Sequence, residues 1–114
     1  MGSDIMTHKM KLVDFAYKAI KNREKTIEVR LNDEKRRLIN VGDTIEFTHV
    51  DTGETIKVKV TNLYKFKTFK ELFDKFDNKQ IGVSEKDDYT IMDNFYTKEE
   101  QDKYGALGIE IELI

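Results

Sequence analysis

The sequence of 114 residues contains no cysteine and no proline. Without cysteine, the chain cannot form a disulfide scaffold, use a thiolate nucleophile or bind zinc through thiolates. Average proline usage would give about six prolines in a chain of this length. Because there are none, the turns must be built from Gly, Asn and Asp, and no proline isomerisation can slow folding.

Long apolar runs are also missing, since none approaches the roughly 20 residues needed to span a bilayer, and no signal-peptide segment is present. We therefore expect a soluble, cytoplasmic protein without a membrane partner. Residues 1–5 are interpreted as an expression scar with Met6 as the native start, which leaves residues 6–114 as a single domain. A hydrophobic content of 39% is enough for one small core, so the chain is not a disordered tail.

The sequence also lacks a large excess of charge of one sign, because 20 basic and 22 acidic residues give a formal net charge of −2. Evenly spread, these charges would argue against a nucleic-acid-binding protein. They are segregated, however. Residues 18–37 hold eight basic and four acidic side chains, a local +4, whereas residues 71–102 hold ten acidic and four basic, a local −6. The first of these segments is compatible with a basic patch for phosphate contact.

Hydrophobic periodicity predicts a mixed or antiparallel sheet. Alternating or mixed apolar patterns indicate strands at 8–12, 26–31, 44–50, 55–64 and 107–113, and a shift of phase at Leu63 indicates a bulge. A helix is predicted for 13–22, with Asp14 as its cap. Because short turns connect most of the strands, we expect the sheet to curl into a small barrel with helices at its ends.

Three capping boxes predict the starts of further helices. They are Thr68 with Glu71, Ser84 with Asp87, and Thr97 with Glu100. The first precedes four apolar residues at helical spacing, and Gly105 is expected to end the last helix.

The strand at 26–31 carries the most informative polar residues. Its non-core face sets Thr26, Glu28 and Arg30 about 6.5–7 Å apart in succession, with Lys25 at the strand entrance. One interpretation is a solvent-exposed strand face with an ordinary ion pair. The other is a polar cleft wall, in which Lys25 and Arg30 bind an anion or a carbonyl and Glu28 acts as an acid or base. A carboxylate beside two cations is a weak general base, which favours ligand binding over proton transfer.

The basic run Lys35-Arg36-Arg37 is the second candidate, either as phosphate ligands or as a solvated loop. Tyr96 and Tyr104 flank the last helix. Two roles remain open for each of them, packing against the core or lying at the mouth of a cleft. His8 and His49 are too few and too isolated to form a metal site. The sequence contains no phosphate-binding glycine loop, nucleophile elbow or histidine-rich ligand spacing, so no metal and no cofactor are expected.

Two segments resemble the ASCH (activating-signal-cointegrator homology) domain in its bacterial stand-alone form. They are KTIEVRLNDEKRR at 25–37 and VGDTIEF at 41–47, supported by the pattern YxFxxFxxL at 64–72 and by YGxLGIxI at 104–111. The resemblance covers about residues 8–114. It implies a PUA-like mixed β-barrel of about five to six strands, flanked by two to four short helices. It also implies a ligand cleft between the barrel and the first helix.

The family is thought to bind RNA or nucleotides in that cleft, and the resemblance places Lys25, Glu28 and Arg30 there. One branch hydrolyses acetylcytidine with a strand that reads Lys-Thr-x-Thr-x-Arg, in which the second Thr is the proposed nucleophile. Lys25, Thr26 and Arg30 match this pattern, but Glu28 occupies the nucleophile position. Ribonuclease activity has also been described within the family.

Three hypotheses follow for this chain. The first is a monomeric or weakly dimeric module that binds RNA, a nucleotide or a nucleoside through a set of eight residues: Lys25, Thr26, Glu28, Arg30, Lys35, Arg36, Arg37 and Tyr104. The second is a hydrolase acting on a modified nucleoside or on RNA, with Lys25 and Glu28 as the catalytic residues. The third is a protein-interaction domain that uses the acidic helical half.

Overall fold

A computed structural model describes residues 5–114; of the residues interpreted as an expression scar, 1–4 lie outside this range. The strands are β1 (Thr7–Leu12), β2 (Ile27–Leu31), β3 (Thr44–His49), β4 (Thr55–Phe66) and β5 (Ala106–Leu113). The α-helices are α1 (Asp14–Lys21), α2 (Phe69–Lys75), α3 (Asn78–Ile81) and α4 (Lys98–Tyr104). Two 3₁₀ helices span Arg36–Leu38 and Tyr89–Asn94.

The strands form one mixed sheet in the order β1-β3-β4-β5-β2, in which only the β1–β3 pair is parallel. The sheet curls into a half-barrel, so that its two edge strands approach each other. Across the gap between these edges, which we call the seam, the guanidinium of Arg30 on β2 donates to the backbone carbonyl of Lys11 on β1 over 3.0 Å. The expected small mixed barrel flanked by short helices is confirmed.

Each face of the sheet carries its own apolar cluster. We call the face covered by α1 the α1 face; its buried residues include Tyr17, Ile20, Ile45, Phe47, Val58, Val60, Leu107, Ile109 and Ile111. The opposite face, which we call the α2 face, includes Ile27, Leu31, Phe69, Leu72, Phe76, Ile81, Met92 and Ala106.

The long strand β4 bends in its middle. Its pairing with β5 shifts register between Val60 and Asn62, which confirms the bulge expected near Leu63. A bulge adds one residue to one strand and increases the local twist. Here it lets a strand of 12 residues follow the curl of the half-barrel.

Two of the predicted helix starts are confirmed. The hydroxyl oxygens of Thr68 and Thr97 accept hydrogen bonds from the backbone N–H groups of Glu71 and Glu100, each over 3.1 Å. Gly105 ends α4 with φ of +74°, a conformation that suits glycine.

Two other predicted caps are wrong. Val13 occupies the cap position of α1, and Asp14 lies one residue inside the helix. The segment Ser84–Asp87 begins no helix and forms a turn, in which the N–H of Asp87 donates to the carbonyl of Ser84 over 3.0 Å. The capping box of Asp77 and Gln80 that opens α3 was not predicted, because a helix of four residues is too short to show hydrophobic periodicity.

Candidate functional site

A cleft of about 480 Å³ lies at the seam. One wall is the start of α1, and the other is formed by residues 81–96, which run from the last residue of α3 through the second 3₁₀ helix. Its floor is formed by Lys25, Glu28 and Arg30, and the rest of the lining includes Lys11, Val13, Phe15, Ala16, Val29, Ile81, Gly82, Val83, Ser84, Asp87, Ile91, Met92, Phe95 and Tyr96.

The floor is a compact ionic cluster. The carboxylate of Glu28 accepts from the ammonium of Lys25 over 3.1 Å and from Nε of Arg30 over 2.6 Å. The side chains of Glu28 and Lys25 are each 5% exposed, and that of Arg30 is 16% exposed. The structure therefore brings together three of the residues predicted to form a ligand site.

Strand pairing explains why Glu28 is buried. In the β2–β5 register, Glu28 is paired with Ile109 and Arg30 with Leu107, so both side chains point to the α1 face. Residues paired across antiparallel strands share one face of a sheet. The interpretation of this strand face as ordinary solvent-exposed surface is wrong, because α1 and the segment 81–96 enclose it. The alternation of β2 was read correctly, but only the fold shows that both of its faces are covered.

The charges of the cluster stabilise one another. Burial raises the pKa of Glu28, but the positive charges of Lys25 and Arg30 outweigh this effect and hold it below the ordinary value. Burial lowers the pKa of Arg30, and the charge of Glu28 more than compensates, so the net shift is upward. At neutral pH the floor therefore carries an ionised carboxylate that accepts hydrogen bonds and is a poor base.

The ammonium of Lys25 has a second partner, the backbone carbonyl of Ile81 at 2.6 Å. The strand entrance and the end of α3 are also joined by the N–H of Thr26, which donates to the carbonyl of Gln80 over 2.9 Å. Two of the three N–H donors of Lys25 are thus used within the protein.

Exposed apolar side chains surround the cleft mouth. Phe15 on α1 is 61% exposed, Phe95 on the opposite wall is 62% exposed, and Val13 is 56% exposed. The sequence analysis missed Phe15 and Phe95. For Phe15 a signal was available. The spacing of Val13, Ala16, Tyr17 and Ile20 predicts the apolar face of the first helix, and Phe15 lies outside it, where an aromatic residue has no packing role.

The other predicted ligand residues lie elsewhere. Thr26 lines a separate depression of about 110 Å³. Lys35, Arg36, Arg37 and Tyr104 do not line the cleft. Arg36 forms an ion pair with Asp33 at 2.8 Å, and Arg37 lies over the Tyr104 ring, 5.7 Å from its centroid. The structure does not bring this basic segment and the floor cluster into one site.

Within residues 5–114, no group of three or more His, Asp or Glu side chains is arranged to hold a metal ion. Across the same range, no helix combines the length and the apolar character needed to cross a membrane.

A mixed half-barrel with a helix over one face and a charged cleft at its seam is the architecture of a small PUA-like domain. Within that class, the chain belongs to the ASCH domain family, whose family model matches residues 10–114. The family is associated with RNA binding and with hydrolase-like roles.

Solved structures share this fold. The chain is 36% identical to the hypothetical protein PH0355, with a TM-score of 0.81 over 96% of this chain and 100% of that one. It is 35% identical to protein PF0455 from Pyrococcus furiosus, with a TM-score of 0.75 over 96% and 98% of the two chains. A mutant form of ZmASCH from Zymomonas mobilis is 14% identical, with a TM-score of 0.62 over 96% of this chain and 69% of that one. This similarity shows a shared fold. A search of curated proteins found no match.

Proposed function

We propose that this protein binds RNA or a nucleotide, with one base at the floor of the seam cleft. The observation that carries the proposal is the buried cluster of Lys25, Glu28 and Arg30 at the base of an open cleft. A buried ionic cluster is weak evidence for a role in stability, because apolar residues of similar volume often stabilise a fold equally well. A cluster that a cleft reaches can act on a ligand.

The size and chemistry of the cleft suit a nucleobase. Its volume of about 480 Å³ falls within the usual range for small-molecule sites. The floor offers carboxylate oxygens that accept from an exocyclic amine, as carboxylates do from cytosine, and N–H donors on Arg30 and Lys25 for ring nitrogens or carbonyls. Phe15 and Phe95 at the mouth provide apolar ring faces of the kind on which proteins stack unpaired bases.

The geometry favours binding over hydrolysis. Glu28 stands where one branch of the family has its threonine nucleophile, and its lowered pKa makes it a weak base. The neighbouring hydroxyl, Thr26, lines a different depression. Nζ of Lys25 is already held by two partners within the protein, the carboxylate of Glu28 and the carbonyl of Ile81.

The remaining expectations belong to this proposal. Lys35, Arg36 and Arg37 would contact phosphates only of an RNA that extends beyond the cleft. The protein would act in the cytoplasm as a monomer or weak dimer.

The test is a titration followed by ¹⁵N NMR, with the four nucleoside 5′-monophosphates and a short single-stranded RNA at two salt concentrations. We expect shifts centred on Glu28, Arg30 and Phe95, and weaker RNA binding at higher salt. Arg30→Ala should abolish the shifts, and the matched control Lys98→Ala, whose side chain is 77% exposed, should not. Shifts confined to residues outside the cleft would refute the proposal. Turnover of acetylcytidine or RNA that is lost in Lys25→Ala would favour the hydrolase instead.

A further inference from the structure

Gly82, the residue that follows α3, lies directly against the side chain of Lys25. It has φ of +74° and lines the seam cleft. A Cβ atom added to Gly82 would overlap Cδ of Lys25 and would lie 2.9 Å from its Cγ and 3.2 Å from its Cβ. Contacts this short exceed what packing tolerates, so one of the two residues would have to move.

The Lys25 side chain cannot move aside freely, because both of its ends are fixed. Its backbone N–H donates to the carbonyl of Ala19 over 3.0 Å. Its ammonium is held by Glu28 at 3.1 Å and by the carbonyl of Ile81 at 2.6 Å. The atoms that a new Cβ would meet lie in the middle of this fixed stem, so a shift of the stem displaces the ammonium.

We infer that Gly82 is a positioning residue for Lys25. The missing side chain leaves the space in which the lysine stem lies, and this sets the ammonium between Glu28 and the end of α3 at the cleft floor. The inference deepens the proposed function, and its ligand-binding readout rests on that function. The predicted effect of Gly82→Ala on the Glu28 carboxyl does not require a ligand and rests on the geometry alone.

A second glycine provides a matched control. Gly53 in the β3–β4 hairpin has φ of +76°, close to that of Gly82, and a Cβ added there would meet nothing within 4 Å. Gly82→Ala and Gly53→Ala therefore introduce similar backbone strain. Only Gly82→Ala also pushes against Lys25, so a difference between the two variants reports on the contact and not on the strain.

The experiment measures two quantities in each variant, the Kd for cytidine 5′-monophosphate and the pH midpoint of the Glu28 carboxyl by ¹³C NMR. Gly82→Ala should weaken binding by about tenfold, the loss expected for one charged hydrogen bond. It should also shift the Glu28 midpoint upward, since the carboxylate loses a cation. Gly53→Ala should leave both quantities unchanged. Equal effects of the two substitutions, or no effect of either, would overturn the inference.

A double-mutant cycle completes the test. Lys25→Ala removes the stem, so adding Gly82→Ala to it should change neither quantity further. If Gly82→Ala alone does not fold, urea unfolding of the double variant provides the test. Adding Lys25→Ala must then restore a cooperative unfolding transition. A double variant that stays unfolded refutes the inference. If the wild-type protein binds no nucleotide, the proposed function fails, and the Glu28 midpoint still decides the role of Gly82.

Discussion

Replacing Glu28 with Gln tests the physical account of the cleft floor most directly. The substitution removes the one negative charge between two cations while keeping the size of the side chain. The side chain of Lys25 is 5% exposed and that of Arg30 is 16% exposed, so water replaces the lost carboxylate only from the side that faces the cleft. The amide oxygen can still accept one hydrogen bond, but the amide NH₂ group must face the other donor.

The expected cost follows from this burial. Removing one partner of a buried ion pair destabilises proteins by about 3–5 kcal/mol, because an uncompensated charge stays in the interior. The carboxylate here joins two cations at 3.1 and 2.6 Å, so we expect a value within that range. For a domain of this size, the melting temperature should fall by roughly 10 °C or more.

The effect should depend on pH. Burial raises the pKa of Glu28, but the charges of Lys25 and Arg30 lower it by more, so the folded-state pKa is below that of the unfolded chain. Such a group stabilises the fold fully above the unfolded-state pKa, about 4.3 for Glu, and the contribution is lost as the pH falls through the folded-state pKa. The difference between wild type and Glu28→Gln should thus be largest at neutral pH and shrink in acid.

Urea unfolding followed by circular dichroism, at pH 7 and at several acidic values, measures this difference. Glu112→Gln on β5 is the control, because Glu112 is exposed. The account would be refuted if Glu28→Gln lost less than about 1 kcal/mol at pH 7, the typical value for an exposed ion pair. A difference that stays constant with pH would refute the charge-based explanation.

Two further predictions concern residues outside the cleft, and urea unfolding measures both. Gly105→Ala should destabilise the fold by about 2 kcal/mol or more, because a Cβ there would lie 2.6 Å from the backbone carbonyl of Phe66; Gly42→Ala, also at positive φ but with nothing within 4 Å, should cost less. Asp43→Ala should cost about 1–3 kcal/mol, because the buried carboxylate accepts from two backbone N–H groups and a histidine ring. The exposed Asp74→Ala should have little effect, and equal losses in the two aspartate variants would contradict this explanation.

Local patterns in the sequence predicted most of the elements. The alternation of Ile27, Val29 and Leu31 gave the strand β2, and the boxes at Thr68 and Thr97 gave the starts of two helices. These features depend on side chains within a few residues of each other, which is why a sequence pattern reveals them. The box at Ser84 failed because the four residues that follow it, 85–88, are all charged, so the first turn of a helix there would have no apolar side chain to bury.

The site was only partly predictable. The triad of Lys25, Glu28 and Arg30 is visible in the sequence because its members lie within six residues of each other. The contact between Lys25 and Gly82 joins residues 57 positions apart, and no local pattern points to it. Conversely, the basic segment Lys35–Arg37 is close to the triad in sequence but does not line its cleft, because the chain turns away after β2.

The sequence by itself determined the family, the order of the elements and the charged triad on β2, since all of these are set by residue types at short spacing. The tertiary structure decided that the triad is a buried cleft floor and not a surface ion pair. The physical reason is that burial depends on what covers a strand face. The covering elements, α1 and the segment after α3, meet the triad only when the sheet curls and brings its two edge strands together.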